Sequence, residues 1–251
     1  RSLQQVPGTR RHLMLKPAER QPQTPSPTSP LALGPTAATL GAMSKPTEHA
    51  EIYLDHNATT PLVDPARRAL LEALDGEFGN PSSIHHAGQR ARRALDHARE
   101  RVAALIGAHP EEIVFTSGAT EANLLAWRGV ASASPRDHAA APRAVRTAVE
   151  HPSICKAADQ LAEDGWTIDI APVDDCGRLN LEALEPLLDL SGCQLLSAMA
   201  VNNELGVVYP TARLSAMARP RGLTHHCDAT QAVGRVDIDV SDWDVDLLSL
   251  S

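Results

Sequence analysis

The sequence predicts an α/β fold: a mostly parallel, doubly wound sheet with flanking helices. Three observations carry this. From "EEIVFTS" onward, short apolar runs alternate with segments of helical period, the rhythm of strand-helix-strand units. Most of the runs are continuously apolar, as strands covered by helices on both faces are. Apolar residues make up 43% of the chain but aromatics only 3%, so the core must rest on Ala, Leu, Val and Ile.

Residues 1–47 stand apart. "KPAERQPQTPSPTSPLALGPTAATLG" is rich in Pro, Ser and Thr and has no sustained hydrophobic period. Such a segment cannot bury enough apolar surface to offset its ordering entropy, and disorder is expected. It is basic and poor in acids, which suits a transit peptide, but its proline density opposes the amphipathic helix such a peptide needs. Met43 is the expected natural start, with the ordered part running over residues 48–251.

"EIYLDHNATTPL" reads as a short strand and a polar loop. "DPARRALLEAL" reads as a helix with Asp64 as N-cap and Pro65 at the first helical position. "FGNPSSIHHAG" is a loop. Ala91, Ala94, Leu95, Ala98, Val102, Leu105 and Ile106 then form one helical stripe that Gly107 should stop. Strands follow at "EEIVFTS", "AVRTAVE", "WTIDIAPV", "QLLSAMAV", "LTHHCDA" and "VDLLSLS". Helices lie between them at "ATEANLLAWRGV", "SICKAADQLAEDG", "NLEALEPLLDL" and "TARLSAMARPRG".

The net charge of −8, with no basic face to offset it, argues against nucleic acid as a partner. No apolar run approaches the roughly 18 residues of a membrane span. Cys155, Cys176, Cys193 and Cys227 show no CxxC spacing. Disulfide and zinc frameworks are therefore disfavoured, and a reducing compartment, the cytoplasm, fits.

In sheets of this kind ligands sit beyond the carboxyl ends of the strands. After "EEIVF" comes Thr116-Ser117-Gly118-Ala119-Thr120-Glu121. Small residues at a helix start offer free N–H groups and a positive dipole end, which suits a phosphate. An ordinary turn capped by Thr is the competing reading. After "AVRTAV" comes Glu150-His151-Pro152, where His151 is either a structural hydrogen-bonder or a catalyst. After "LLSAMAV" come Asn202 and Asn203. After "LTHHC" come Asp228 and Gln231, and "LLSLS" ends at Ser251. A metal site from His225, His226, Cys227 and Asp228 is disfavoured, because neighbours on a strand point to opposite faces. The inventory suits a phosphorylated aromatic heterocycle with a protonatable ring nitrogen. Asp228 would pair with that nitrogen and so keep the ring an electron sink.

The motifs "YLDHNATTP", "FGNPSSIH", "FTSGATEANLLA", "EHPSI", "VNNELGVV", "CDATQAVG" and "DLLSLS" together resemble the cysteine desulfurases. These are pyridoxal-phosphate enzymes of the class V aminotransferase group with fold type I. The likeness runs in order from about Ile52 to Ser251. It implies that Ala119, Thr120 and Ser251 hold the cofactor phosphate, that His151 stacks on the ring and serves as an acid–base group, and that Asp228 pairs with the ring nitrogen. Gln231 would bond the ring hydroxyl oxygen. Asn203 would lie beside the cofactor and orient substrate, and Asn57 would line the substrate entrance. One departure is Ala200 before "VNNELG", where many relatives carry His.

The implied reaction takes sulfur from L-cysteine as an enzyme persulfide and releases L-alanine. The sulfur then goes to acceptor proteins of the iron–sulfur scaffold or tRNA-thiolation type. Homodimers are the family's usual form. The resemblance also places a cofactor-anchoring lysine just past "SLS" and the nucleophilic cysteine further on, so the 251 residues are expected to be inactive by themselves. All four cysteines present are expected to be ordinary thiols. The alternatives are a selenocysteine lyase or other class V enzyme, and a non-catalytic truncated product.

Overall fold

The computed structural model describes residues 52–134 and 140–251; the Pro/Ser/Thr-rich extension at 1–47 lies outside them. Five strands form the frame: β1 (Arg143–Thr147), β2 (Thr167–Ala171), β3 (Cys193–Ser197), β4 (Thr224–Asp228) and β5 (Leu247–Ser249). They lie in the order β2-β1-β3-β4-β5, and every pairing is parallel. Parallel neighbours need a crossover. The crossovers are α4 (Pro152–Glu163), α5 (Leu181–Leu188), α6 (Thr211–Ala218) and the short α7 (Val240–Trp243).

The pleat divides the core in two. Ala144 and Leu195 face Ile154, Ala157 and Leu161 of α4 and Trp127 of α3 (Ala119–Ala133). Their sequence neighbours Val145 and Leu196 point the other way, onto Leu184 and Leu188 of α5 and Leu214 and Ala218 of α6. Successive strand residues therefore both meet helices, which is why the strands read as unbroken apolar runs. Each fully buried Leu or Val contributes on the order of 1.5–3 kcal/mol.

Local chemistry sets several boundaries. Gly107 ends α2 (His86–Ile106) in the left-handed region at φ 70°, as expected. Asn180 caps α5, its side chain accepting from the Ala183 N–H at 3.0 Å. His151 caps α4, with Pro152 at the helix start.

Four expectations need correction. The segments at 52–54 and 113–115 are not strands in the structure. A strand is a property of a pair, and neither segment has a ladder partner among the described residues. Arg99 occupies the Ile113 carbonyl instead, with its guanidinium 5.1 Å from the Phe115 ring centroid. In α1 (Asp64–Gly76) the N-cap is Val63, and Asp64 already lies in the first turn, where its carboxylate favours the helix dipole. No residue of α1 is buried. Finally, α7 was not foreseen, because four residues carry no period; Asp239 starts it by accepting from the Ser241 N–H. No helix among the described residues is long and apolar enough to cross a membrane.

Candidate active site

The carboxyl ends of β1, β3, β4 and β5 open on one side of the sheet, where the start of α3 also arrives. A pocket of about 570 Å³ lies there. Every residue to which the family resemblance gives a role lines it: Asn57, Ala119, Thr120, His151, Asn203, Asp228, Gln231 and Ser251. Asn202 does not; its side chain bonds the Val149 carbonyl and the Glu204 and Leu205 N–H groups.

One wall is the start of α3. Gly118 precedes the helix at φ 155°, ψ 179°, with no side-chain cap. Thr116 is folded back on this turn, its hydroxyl accepting from the Gly118 N–H at 3.3 Å and donating to the Gly118 carbonyl at 3.0 Å. Glu121 accepts the Ser117 N–H at 2.6 Å, and that bond holds its carboxyl below the usual range. Ala122 bonds back to the Gly118 carbonyl. The N–H groups of Ala119 and Thr120 receive no acceptor from the described residues, as in any free first turn. Two donors and a dipole end thus face the pocket.

The opposite wall is Asp228, at the end of β4 and 5% exposed. Its Oδ2 accepts from Asn123 Nδ2 at 2.7 Å and its Oδ1 from the Thr230 N–H at 3.0 Å. Both donors are neutral. None of the ion pairs among the described residues includes Asp228. A buried carboxylate without a cation is costly, and this one borders a cavity.

His151 stands beside them. Its Nδ1 accepts the Ser153 N–H at 3.2 Å and lies 2.8 Å from the Ser153 hydroxyl. The remaining contributors come from loops. Asn57 Nδ2 donates to the Asn203 carbonyl at 3.0 Å, and Gln231 Nε2 donates to the Asn57 carbonyl at 3.2 Å. Gln231 also accepts from Arg235 through its side-chain oxygen. The loop carrying Asn57 is thereby fastened over the pocket by residues 146 and 174 positions away.

The paired histidines before Asp228 divide as strand geometry requires. His225 reaches Ser215 of α6 at 2.7 Å, while His226 lies between Ser197 and Ser249. Burial pushes the His225 imidazole down to about 3 and holds His226 below the usual range as well. Both are neutral core groups. Among the described residues no cluster of three or more His, Cys, Asp or Glu is placed to hold a metal ion. All four cysteines are free thiols. Burial pushes Cys193 up to about 11 and Cys227 higher still, so neither supplies a thiolate near neutrality.

Residues 52–251 match the family model for class V aminotransferases. The chain belongs to that family. A cysteine desulfurase IscS of Proteus mirabilis is 43% identical over 204 residues, covering 80% of this chain and 49% of that protein. A human cysteine desulfurase is 37% identical over 244 residues, covering 96% of this chain and 50% of that one. A solved structure of a NifS-like protein superposes with a TM-score of 0.75 at 32% identity, covering 80% of this chain and 54% of that one. The chain spans about half the length of the curated relatives it matches. Its parallel sheet with helices on both faces is the fold type I architecture of this class V chain and its neighbours.

Sequence reasoning missed Asn123, Ser153, Glu150 and Thr230. Thr230 lines the pocket, and its buried hydroxyl has no partner among the described residues. All four had a signal: each is a polar residue inside a motif already singled out. Only the fold shows that they are buried.

Proposed function

We propose that this chain is the cofactor-holding part of a cysteine desulfurase that uses pyridoxal 5′-phosphate. The observation that carries the reading is Asp228: a buried carboxylate with no cationic partner among the described residues, in one pocket with the N–H groups at the start of α3 that those residues leave unpaired. A phosphorylated pyridine is a molecule that needs both. The donor set therefore fits the group that class V enzymes use. The names of relatives support the substrate: similar proteins of Arthroderma benhamiae, Proteus mirabilis and Azotobacter vinelandii are described as cysteine desulfurases, and one similar structure is described as a complex with cysteine.

Bound there, pyridoxal phosphate supplies an electron sink for the pair left when the substrate Cα–H breaks. The chain's own residues do the rest. Ala119 and Thr120, with Ser251, would hold the phosphate. Asp228 would keep the ring nitrogen protonated. His151 would lie against the ring and hold a proton for exchange with substrate. Asn203 and Asn57 would close the substrate side, and Gln231 would meet the ring hydroxyl. In the whole protein a cysteine thiolate takes the substrate's sulfur as a persulfide, and L-alanine leaves. Acceptor proteins of iron–sulfur or tRNA-thiolation assembly consume that sulfur. The whole protein is proposed to act as a homodimer in the cytoplasm.

The test is product analysis of the whole gene product with pyridoxal phosphate, L-cysteine and a thiol reductant. Alanine and sulfide in equal amounts are expected. Release of alanine from selenocysteine but not from cysteine would overturn the substrate assignment.

A further inference from the structure

Asn123 sits in the second turn of α3, fully buried, and does not line the pocket. An amide in a helix interior is a poor helix former, and a buried one needs partners for its oxygen as well as its nitrogen. The Asn123 oxygen has none among the described residues. Its nitrogen has two: Asp228 Oδ2 at 2.7 Å and the Ser153 hydroxyl at 3.0 Å. The side chain is oriented so that both protons are used, at the cost of an orphaned carbonyl.

The consequence runs across the site. The carboxylate of Asp228 accepts only, so it forces the nitrogen of Asn123, not its oxygen, to face it. The same nitrogen then donates to Ser153, whose hydroxyl, so engaged, is a stronger donor. At 2.8 Å that hydroxyl meets His151 Nδ1, which already accepts the Ser153 N–H. The Ser153 N–H can only donate, so Nδ1 carries no proton and the hydroxyl donates to it as well; the imidazole proton then belongs on Nε2, which takes no partner from the described residues.

We propose that Asn123 is a positioning residue: it ties the Asp228 carboxylate to the His151 imidazole and fixes that imidazole as the Nε2–H tautomer. The proposal rests on the reading that Asp228 and His151 face one bound ring. It adds that the two are set by a single hydrogen-bonded chain, so that the group meeting the ring nitrogen also decides where the acid–base group carries its proton.

The test is long-range proton–nitrogen correlation NMR of the imidazoles in the full 251-residue chain without cofactor, with His151 assigned from the His151→Gln variant. The parent should show a protonated Nε2 and a bare Nδ1. Ser153→Ala keeps the Asn123–Asp228 bond but breaks the chain. Asn123→Leu removes its middle. Asp228→Asn frees the Asn123 amide without touching His151. Ser153→Ala, which removes a donor at Nδ1, should shift the tautomer ratio toward Nδ1–H by about tenfold, the size of one lost hydrogen bond; Asn123→Leu and Asp228→Asn, which act through Ser153, should shift it in the same direction by less. A parent with its proton on Nδ1 would overturn the proposal. So would an unchanged His151 spectrum in Ser153→Ala and Asp228→Asn, the two variants that preserve core volume. Cofactor binding by the parent, read from pyridoxal-phosphate absorbance, stands or falls separately: failure there defeats the site assignment, not the hydrogen-bonded chain.

Discussion

Glu150 accepts the backbone N–H of Met199 at 3.0 Å, so the side chain that follows β1 holds the segment that follows β3. Thr147 donates to the same oxygen, and the second carboxyl oxygen is buried without a partner among the described residues. Burial pushes this carboxyl up to about 8, with Asp228 adding to the shift and the Thr147 and Met199 donors opposing it. Between about 4.5 and 8, folded Glu150 therefore keeps a proton that the unfolded chain has released, and stability falls as pH rises through that window. His225 and His226 act in the opposite sense. Their folded values lie below the ordinary 6.5, so below about 6.5 the unfolded chain binds protons that the folded one refuses, and stability falls as pH drops. Two histidines outweigh one carboxyl on the acid side, and the carboxyl acts unopposed above it. The urea midpoint should therefore peak at about pH 6.5 and decline in both directions. A midpoint that climbs steadily to pH 8 would contradict these assignments.

Glu150→Gln isolates the alkaline limb. Glutamine retains an oxygen for the Met199 N–H but has no proton to lose. Between pH 6.5 and 8 the parent should lose on the order of 2 kcal/mol through this group, and the variant should lose almost none of it. Urea titrations of both chains at the two pH values give the comparison. Parallel declines would place the titration elsewhere.

The sheet was readable because its signal is local and repeated. Apolar runs such as "QLLSAMAV" alternate with helix-period stretches, and this arrangement follows from burial on both faces, seen in Val145 and Ala144 facing opposite helix layers. The pocket was readable because strand ends gather wherever the strands are parallel: Asp228 and His151 needed no distance to be paired. What could not be read depends on partners. Ile113 and Phe115 have strand chemistry, yet Arg99 takes the carbonyl a ladder would use. Leu70 and Leu74 sit on a helical stripe, yet both are exposed. Asn123 looks like any helical amide in sequence, and its meaning lies in Asp228, 105 residues later.

Asp228→Asn tests the cofactor wall directly. The substitution keeps the shape of the side chain and removes the charge that would meet a protonated ring nitrogen. A charge-assisted hydrogen bond lost in a buried site costs about 1.5–3 kcal/mol. Pyridoxal phosphate should therefore bind roughly 10–100-fold more weakly to the variant, as followed by absorbance titration of the 251-residue chain. Affinity for inorganic phosphate, which needs only the start of α3, should not change. Equal weakening of both ligands would mean that the substitution had disturbed the pocket as a whole.

Two glycines of α3's neighbourhood should respond in opposite directions to the same added methyl group. A Cβ at Gly118 or at Gly129 would meet no atom within 4 Å, so crowding plays no part at either position. Gly129 lies inside the helix, where alanine is preferred by roughly 0.5–1 kcal/mol; Gly129→Ala should raise the thermal midpoint. Gly118 sits at φ 155°, ψ 179°, a region nearly closed to side chains, and forcing alanine there costs about 1–3 kcal/mol. Relief of that strain would rotate the turn and re-aim the Ala119 and Thr120 N–H groups. Gly118→Ala should therefore lower the midpoint and weaken phosphate and pyridoxal-phosphate binding together, whereas Gly129→Ala leaves both affinities alone. Thermal melts and ligand titrations of the two variants decide it: undiminished phosphate binding in Gly118→Ala would show that this turn is not where the anion is held.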